Sequence, residues 1–168
     1  MPQSRQIKER YIYRLRRILP NEVPEVDLYE ANDEITTLLE KHGMNVPREH
    51  LKQAIECFDA ENWASANAQL RSFFEGYLNE IAVKLGCEAS KTGKQKRDFL
   101  GENGFLSSDL NEWNDNKSKQ QYIQGLMNRM HPDGSHPGLS DKDDCVFRLQ
   151  ITLITARLLL RRFDREFR

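Results

Sequence analysis

The chain has 168 residues, of which 38% are hydrophobic and 30% charged, with 9 Gly, 6 Pro and a formal net charge of -1. A chain of this length buries roughly 70% of its unfolded surface in one domain, which excludes collagen-like, mucin-like and disulfide-scaffold classes. Its longest apolar runs, such as Leu158-Leu159-Leu160, fall far short of the ~18 residues of a spanning helix, and the basic amphipathic start lacks an apolar signal core, so no membrane partner and a cytosolic location are expected.

Helical periodicity dominates, and no stretch alternates apolar and polar residues long enough for a sheet. Between Arg5 and Leu19, the residues Ile7, Tyr11, Leu15 and Ile18 recur at four and three residues and share a face opposite arginines. Asn21 to Pro24 breaks that helix. A weaker helix is expected from Val26 to His42, stopped by Gly43, and Pro47 opens the next at its first turn. That short helix, to Asp59, carries Leu51, Ala54, Ile55 and Phe58.

After a turn at Glu61-Asn62, a stronger helix runs from Trp63 to Leu85, with Gly86 as its stop. Its stripe of Ala66, Leu70, Phe73, Phe74, Tyr77 and Ile81 reads as core, because aromatic platforms that stack on bases must be exposed. Cys87 to Lys96 reads as a connection, and a short helical piece ends at Gly101 to Gly104. Ser107 or Ser108 then caps a helix bearing Leu110, Trp113, Tyr122, Ile123, Leu126 and Met127, whose polar middle, Asn114 to Gln121, is a loop or an exposed insert. In the last helix Ser140 and Asp143 form a capping-box-like pair, and Asp141, Asp143 and Asp144 suit the positive end of the helix dipole.

The expected fold is an all-α, single-domain helical bundle of five to seven helices, with its long helices at 63–85, 108–130 and 140–167. Residues 1–46 supply a basic N-terminal helix and a packing helix, and residues 47–168 the bundle, within one compact domain. Charge is segregated: residues 1–20 carry +5 and residues 157–168 carry +3, which leaves -9 on the acidic body. The terminal arginines either form a positive face that attracts phosphates or cover apolar surface while pairing with the acidic body.

Several chemistries lack support. Cys57, Cys87 and Cys145 are odd in number and widely spaced, so they read as reduced thiols rather than a zinc site. His131, Asp133, His136, Asp141, Asp143 and Cys145 match no familiar metal spacing, so neither metal nor cofactor is expected. There is no phosphate-binding glycine loop, dinucleotide fingerprint or nucleophile elbow; Lys91-Thr-Gly93 stands without the partner motifs of penicillin-binding enzymes.

One segment breaks the helical texture: Asn128-Arg-Met-His-Pro-Asp-Gly-Ser-His-Pro-Gly138. Its prolines and glycines force a turn that displays Arg129, His131 and His136 between two helices. A histidine of near-neutral pKa can take a proton from a ribose 2′-hydroxyl or give one to the leaving oxygen, and an arginine can stabilise charge on the transferring phosphoryl. The structural alternative is that Arg129 satisfies helix carbonyls and His136 bonds backbone beside the last helix. Arg71 and Glu75, one helical turn apart, are either a simple ion pair or partners that orient the loop residues.

At this loop the chain resembles the HEPN superfamily, small helical bundles of prokaryotic toxins, abortive-infection proteins and CRISPR-associated ribonucleases. The family marker is an arginine, four to six residues and a histidine before the last long helix; Arg129, six residues and His136 match it at the upper limit of spacing. The alanine-rich helix Trp63-Ala-Ser-Ala-Asn-Ala-Gln-Leu-Arg-Ser-Phe-Phe-Glu75 is similar to a second family segment, and the likeness spans Pro47 to Phe163. The resemblance implies a metal-independent endoribonuclease or RNA-binding protein in stress or phage defence. Two copies of Arg129 and His136 would meet at a homodimer interface, supported by Asn128, Glu75, Arg71 and His131, with an antitoxin or defence partner. Met130 follows the arginine where active members often carry Asn, Asp or His, and Asn128 precedes it. The alternative is a non-catalytic HEPN-like module that binds a partner protein or nucleotide through the same loop.

Overall fold

The structure, a computed structural model, describes residues 28–114, 121–131 and 141–166. Among them are six α-helices and no strand, so the chain is an all-α bundle. Helix α1 is Leu28–Lys41, α2 Asn45–Asp59, α3 Trp63–Lys84, α4 Gly93–Glu102, α5 Tyr122–Met130 and α6 Lys142–Glu166. Helix α6, with 25 residues, is a rod of ~37 Å.

The glycine stops act as their positions predict. Gly43 and Gly86 adopt φ of +66° and +104°. The next amides then reach back, Met44 N–H to the Leu39 carbonyl at 2.8 Å and Cys87 N–H to Ala82 at 2.9 Å, closing two helix ends. Asn62 starts α3 by accepting the Ser65 N–H at 3.3 Å.

Helices α2 and α3 form an antiparallel hairpin. His50 Nδ1 meets Gln69 Oε1 at 2.7 Å, and Phe58 packs edge-on to Trp63 at 5.3 Å. At its far end the helices approach closely enough that a Cβ on Gly76 would sit 3.4 Å from the Pro47 side chain, an ordinary packing contact. The α3 stripe is core throughout: Leu70, Phe73, Phe74, Tyr77, Leu78 and Ile81 are buried against Leu149, Leu153, Leu160 and Phe163 of α6 and Ile35 and Leu39 of α1. At ~25 cal/mol per Å², burial of such side chains supplies ~1.5–3 kcal/mol each before entropy is subtracted.

Helix α1 runs in the same direction as the second half of α6, tied by charge along its length. Glu34 accepts from Arg157 Nε at 2.5 Å and from Arg161, Glu30 lies 3.3 Å from Arg157, and Lys41 and His42 both reach Asp164, at 2.5 and 2.8 Å. Arg162 forks onto Glu112 at 2.7 and 2.8 Å. Arg157, Arg161 and Arg162 therefore pair with the acidic body, the second of the two readings of the terminal arginines. Residues 5–19 lie outside the described residues.

The region between α3 and α5 corrects the sequence reading. The presumed connection ends in a helix: Thr92 accepts the Gln95 N–H while Gln95 accepts the Thr92 N–H, a capping box that opens α4 at Gly93. The helix expected from Ser108 to Met130 begins only at Tyr122. Residues 103–114 are a run of turns, with Gly104 at φ +77° and Asn111 at +54°, and Ser107 Oγ accepts the Leu110 N–H at 3.2 Å. Leu110, expected on that helix, is exposed in the turns, whereas Trp113 is buried on α4 and donates to Asp98 at 3.1 Å. At the start of α6, Asp141 accepts the Asp144 N–H at 2.7 Å, a cap one residue on from the expected Ser140. Ser140 lies outside the described residues.

Candidate functional site at the junction of α5 and α6

The last turn of α5 delivers Arg129 to the first turn of α6. Leu126, Met127 and Met130 are buried, so the intervening Asn128 and Arg129 face outward. This is the local consequence of apolar residues at helical spacing. Arg129 donates through Nη2 to Asp144 Oδ1, and its guanidinium carbon lies 5.5 Å from the centre of the Phe147 ring. The side chain is nevertheless 49% exposed. A cation held over an aromatic face by one carboxylate keeps most of its five donors directed at solvent.

Asp144 is the pivot of the junction. Its second oxygen accepts from Arg148 Nε at 2.5 Å, and the Arg148 side chain is buried to 6% exposure. One carboxylate thus serves two guanidiniums, one sealed and one open. Next to it the buried Cys145 lies with Sγ 3.8 Å from the Trp63 carbonyl. Burial foremost, and the Asp144 charge second, push that thiol up to about 11 against the opposing pull of Arg148. A thiol so raised stays protonated at neutral pH and is a packing group rather than a nucleophile.

The other expected site residues divide. Asn128 accepts the Gln124 amide at 2.7 Å one turn back on α5. His131 is the residue that ends α5, with an extended backbone at φ -72° and ψ 138°. His136 and Asp133 fall within 132–140, outside the described residues.

Arg71 and Glu75 form an ion pair at 3.2 Å, the simpler of their two readings. Glu75 also lies close enough to Arg97 of α4 to favour its charge, while burial works against it and leaves the guanidinium pKa lowered. Among the described residues, no hydrogen bond or ion pair links Arg71 or Glu75 to Arg129; their partners lie on the α3–α4 side.

Sequence reasoning missed Asp144, Arg148 and Phe147 as the setting of Arg129. The signal was present: an acid at the first turn of a helix, with Arg four residues on and Phe three residues on, faces whatever the preceding helix end presents. No group of three or more metal-ligating side chains occurs among the described residues, and no described helix is long and apolar enough to cross a membrane. Compared with known protein families, curated proteins and solved structures, the chain matches no family model, no curated protein and no solved structure.

Proposed function

We propose that the protein acts on RNA through the junction of α5 and α6, as a HEPN-like homodimer in which Arg129 grips a phosphate and His136 transfers protons. The observation that carries this reading is the half-exposed Arg129 guanidinium, anchored on one side by Asp144 and resting on Phe147. An arginine so placed is oriented without being used up, and its remaining N–H groups suit a phosphate oxygen. The Phe147 ring, itself about half exposed, offers a face on which a base can stack.

In the reaction, His136 takes the proton of a ribose 2′-hydroxyl, that oxygen attacks the adjacent phosphorus, and the 5′-oxygen leaves with a proton returned from the paired copy's imidazole. The bond formed closes a 2′,3′-cyclic phosphate and the bond broken is P–O5′. Arg129 stabilises the charge on the phosphoryl oxygens, and no metal is needed. Asn128 and His131 border the phosphate. The setting is stress or phage defence, with an antitoxin or defence partner holding the activity in check.

Asp144 competes with phosphate for Arg129, which gives the experiment. A labelled single-stranded RNA is titrated by fluorescence anisotropy against wild type, Arg129→Ala and Asp144→Asn. Arg129→Ala weakens binding by ~10-fold or more, and Asp144→Asn tightens it. Equal affinity for all three chains refutes the phosphate role of Arg129.

A further inference from the structure

The stretch Lys91-Thr-Gly-Lys-Gln-Lys-Arg97, which leads into α4, carries four cations and no acid within a body of net charge -9. A charge run is ordinarily a solvated face, and Arg97 sets this one apart. Its guanidinium carbon lies 5.5 Å from the centre of the Trp113 ring, and its Nε is buried with no hydrogen-bond partner among the described residues. The carboxylates nearby are already engaged. Asp98 accepts from Lys94 at 2.7 Å and from Trp113 Nε1 at 3.1 Å, and Glu75 accepts from Arg71 at 3.2 Å. Lys91, Lys96 and Arg97 have no ion pair among the described residues. Arg97 is therefore a positioned cation with N–H groups to spare, as Arg129 is over Phe147.

Asn79 of α3 stands beside it in the same condition, its Oδ1 buried and without a partner among the described residues. A Cβ placed on Gly93 would lie 3.4 Å from Arg97 Nη1, 3.5 Å from Asn79 Oδ1 and 3.9 Å from Asn79 Nδ2, so guanidinium and amide face one spot. A half-turn of the amide exchanges its oxygen for the NH2 group and adds two donors there. The spot also lies on a ridge that starts at the α5–α6 junction. Trp63, Asn67, Arg71, Glu75 and Asn79 recur every four residues along α3. The Trp63 carbonyl is 3.8 Å from Cys145 Sγ, next to Asp144, and Asn79 closes the other end. Trp63 to Asn79 spans ~24 Å of helix, the length of ~7 nucleotides at ~3.4 Å each.

We propose that Arg97, Asn79, Lys91 and Lys96 form a second phosphate-binding site, which takes the backbone of an RNA strand whose scissile link lies at Arg129. Resting on the RNA reading of the α5–α6 junction, the site contacts phosphate alone, so it adds affinity and a dependence on strand length without sequence preference.

Labelled 2′-O-methyl RNAs of about 4 and about 15 nucleotides, which resist cleavage, are titrated by anisotropy over a range of salt concentrations. Lys91→Gln with Lys96→Gln weakens binding of the long strand ~5-fold or more and lowers its salt slope by ~1.4, two contacts at ~0.7 each. Gly93→Asp sets a carboxylate at the spot where it pairs with Arg97. It weakens the long strand comparably without lowering Tm. Neither change alters binding of the short strand, whereas Arg129→Ala weakens both lengths. Long-strand affinity and salt slope unchanged in both α4 variants, or an equal loss for the short strand, overturn the second site while the Arg129→Ala loss upholds the junction. A long strand lost by the α4 variants but held by Arg129→Ala as by wild type refutes the junction and supports the α4 contact. Wild type that binds neither strand overturns both.

Discussion

Replacing Glu112 by alanine tests how the turns between α4 and α5 are held on α6. The residue is 7% exposed and takes two hydrogen bonds from Arg162, at 2.7 and 2.8 Å, and one from the Ser107 N–H at 2.8 Å. Removing one partner of a buried ion pair costs ~3–5 kcal/mol, mainly by stranding the other charge. Arg162 is not fully stranded: it is 17% exposed, and Nη1 keeps the Phe105 carbonyl at 2.5 Å. The expected loss is therefore ~2–4 kcal/mol, and with ~2–4 °C per kcal/mol for a chain of this size, a fall in Tm of ~4–16 °C. Urea unfolding followed by far-UV circular dichroism measures it, with Lys94→Ala, from an exposed pair, as a control expected within ~1 kcal/mol. A double variant, Glu112→Leu with Arg162→Met, recovers at least half the loss, since apolar replacement of both partners leaves no buried charge. Acid sensitivity follows the same pair. Burial raises the Glu112 pKa, but the Arg162 and Ser107 hydrogen bonds outweigh it and the result is lowered. Its stabilisation is present above the unfolded value near ~4.3 and fades as pH falls through the lower folded one; Glu112→Gln removes that part of the slope. A Glu112→Ala chain within ~0.5 kcal/mol of wild type, or strict additivity in the double variant, refutes the argument.

Three further outcomes are expected. Tyr77 is fully buried, its hydroxyl has no hydrogen-bond partner among the described residues and burial drives its pKa far up, so Tyr77→Phe leaves thermal stability unchanged or raises it by up to ~1–2 kcal/mol. A scan showing a drop of that size reveals a partner for the hydroxyl. At Gly101 an added Cβ would lie 2.6 Å from Trp113 Cδ1. Gly101→Ala thus costs ~1–3 kcal/mol and shifts tryptophan emission to the red as the indole is displaced, whereas an unshifted spectrum contradicts the packing. With Cys145 buried and its pKa near 11, iodoacetamide at mildly alkaline pH modifies the half-buried Cys57 first. Peptide mapping that finds Cys145 labelled as fast disagrees.

The parts of the fold legible in the sequence are those set by local periodicity and backbone chemistry. Helix α3 announced itself through Leu70, Phe73, Tyr77 and Ile81, and Gly43 and Gly86 marked ends that need positive φ. The same reasoning failed between Cys87 and Gln121 for two reasons. The Thr92 and Gln95 box was a local signal passed over beneath a Gly/Lys-rich composition. The turns at 103–114 are fixed instead by distant partners, Arg162 on Glu112 and Asp98 on Trp113, which no local pattern reveals. At the candidate site the sequence located Arg129 between two helices but not its counterion, because the choice of Asp144 over Asp141 or Asp143 depends on how α5 and α6 cross. Glu75 shows the reverse: its pairing with Arg71 follows from four-residue spacing, but its outlook toward Arg97 depends on where α4 docks.

The central claim is that Arg129 and His136 work on an RNA phosphodiester without metal. Wild type, Arg129→Ala and His136→Ala are each incubated with single-stranded RNA in EDTA, and the product ends are read by mass spectrometry. The account predicts wild-type fragments ending in 2′,3′-cyclic phosphate and none above background from either variant. Intact RNA in the wild-type reaction, or the same fragments from both variants, contradicts it.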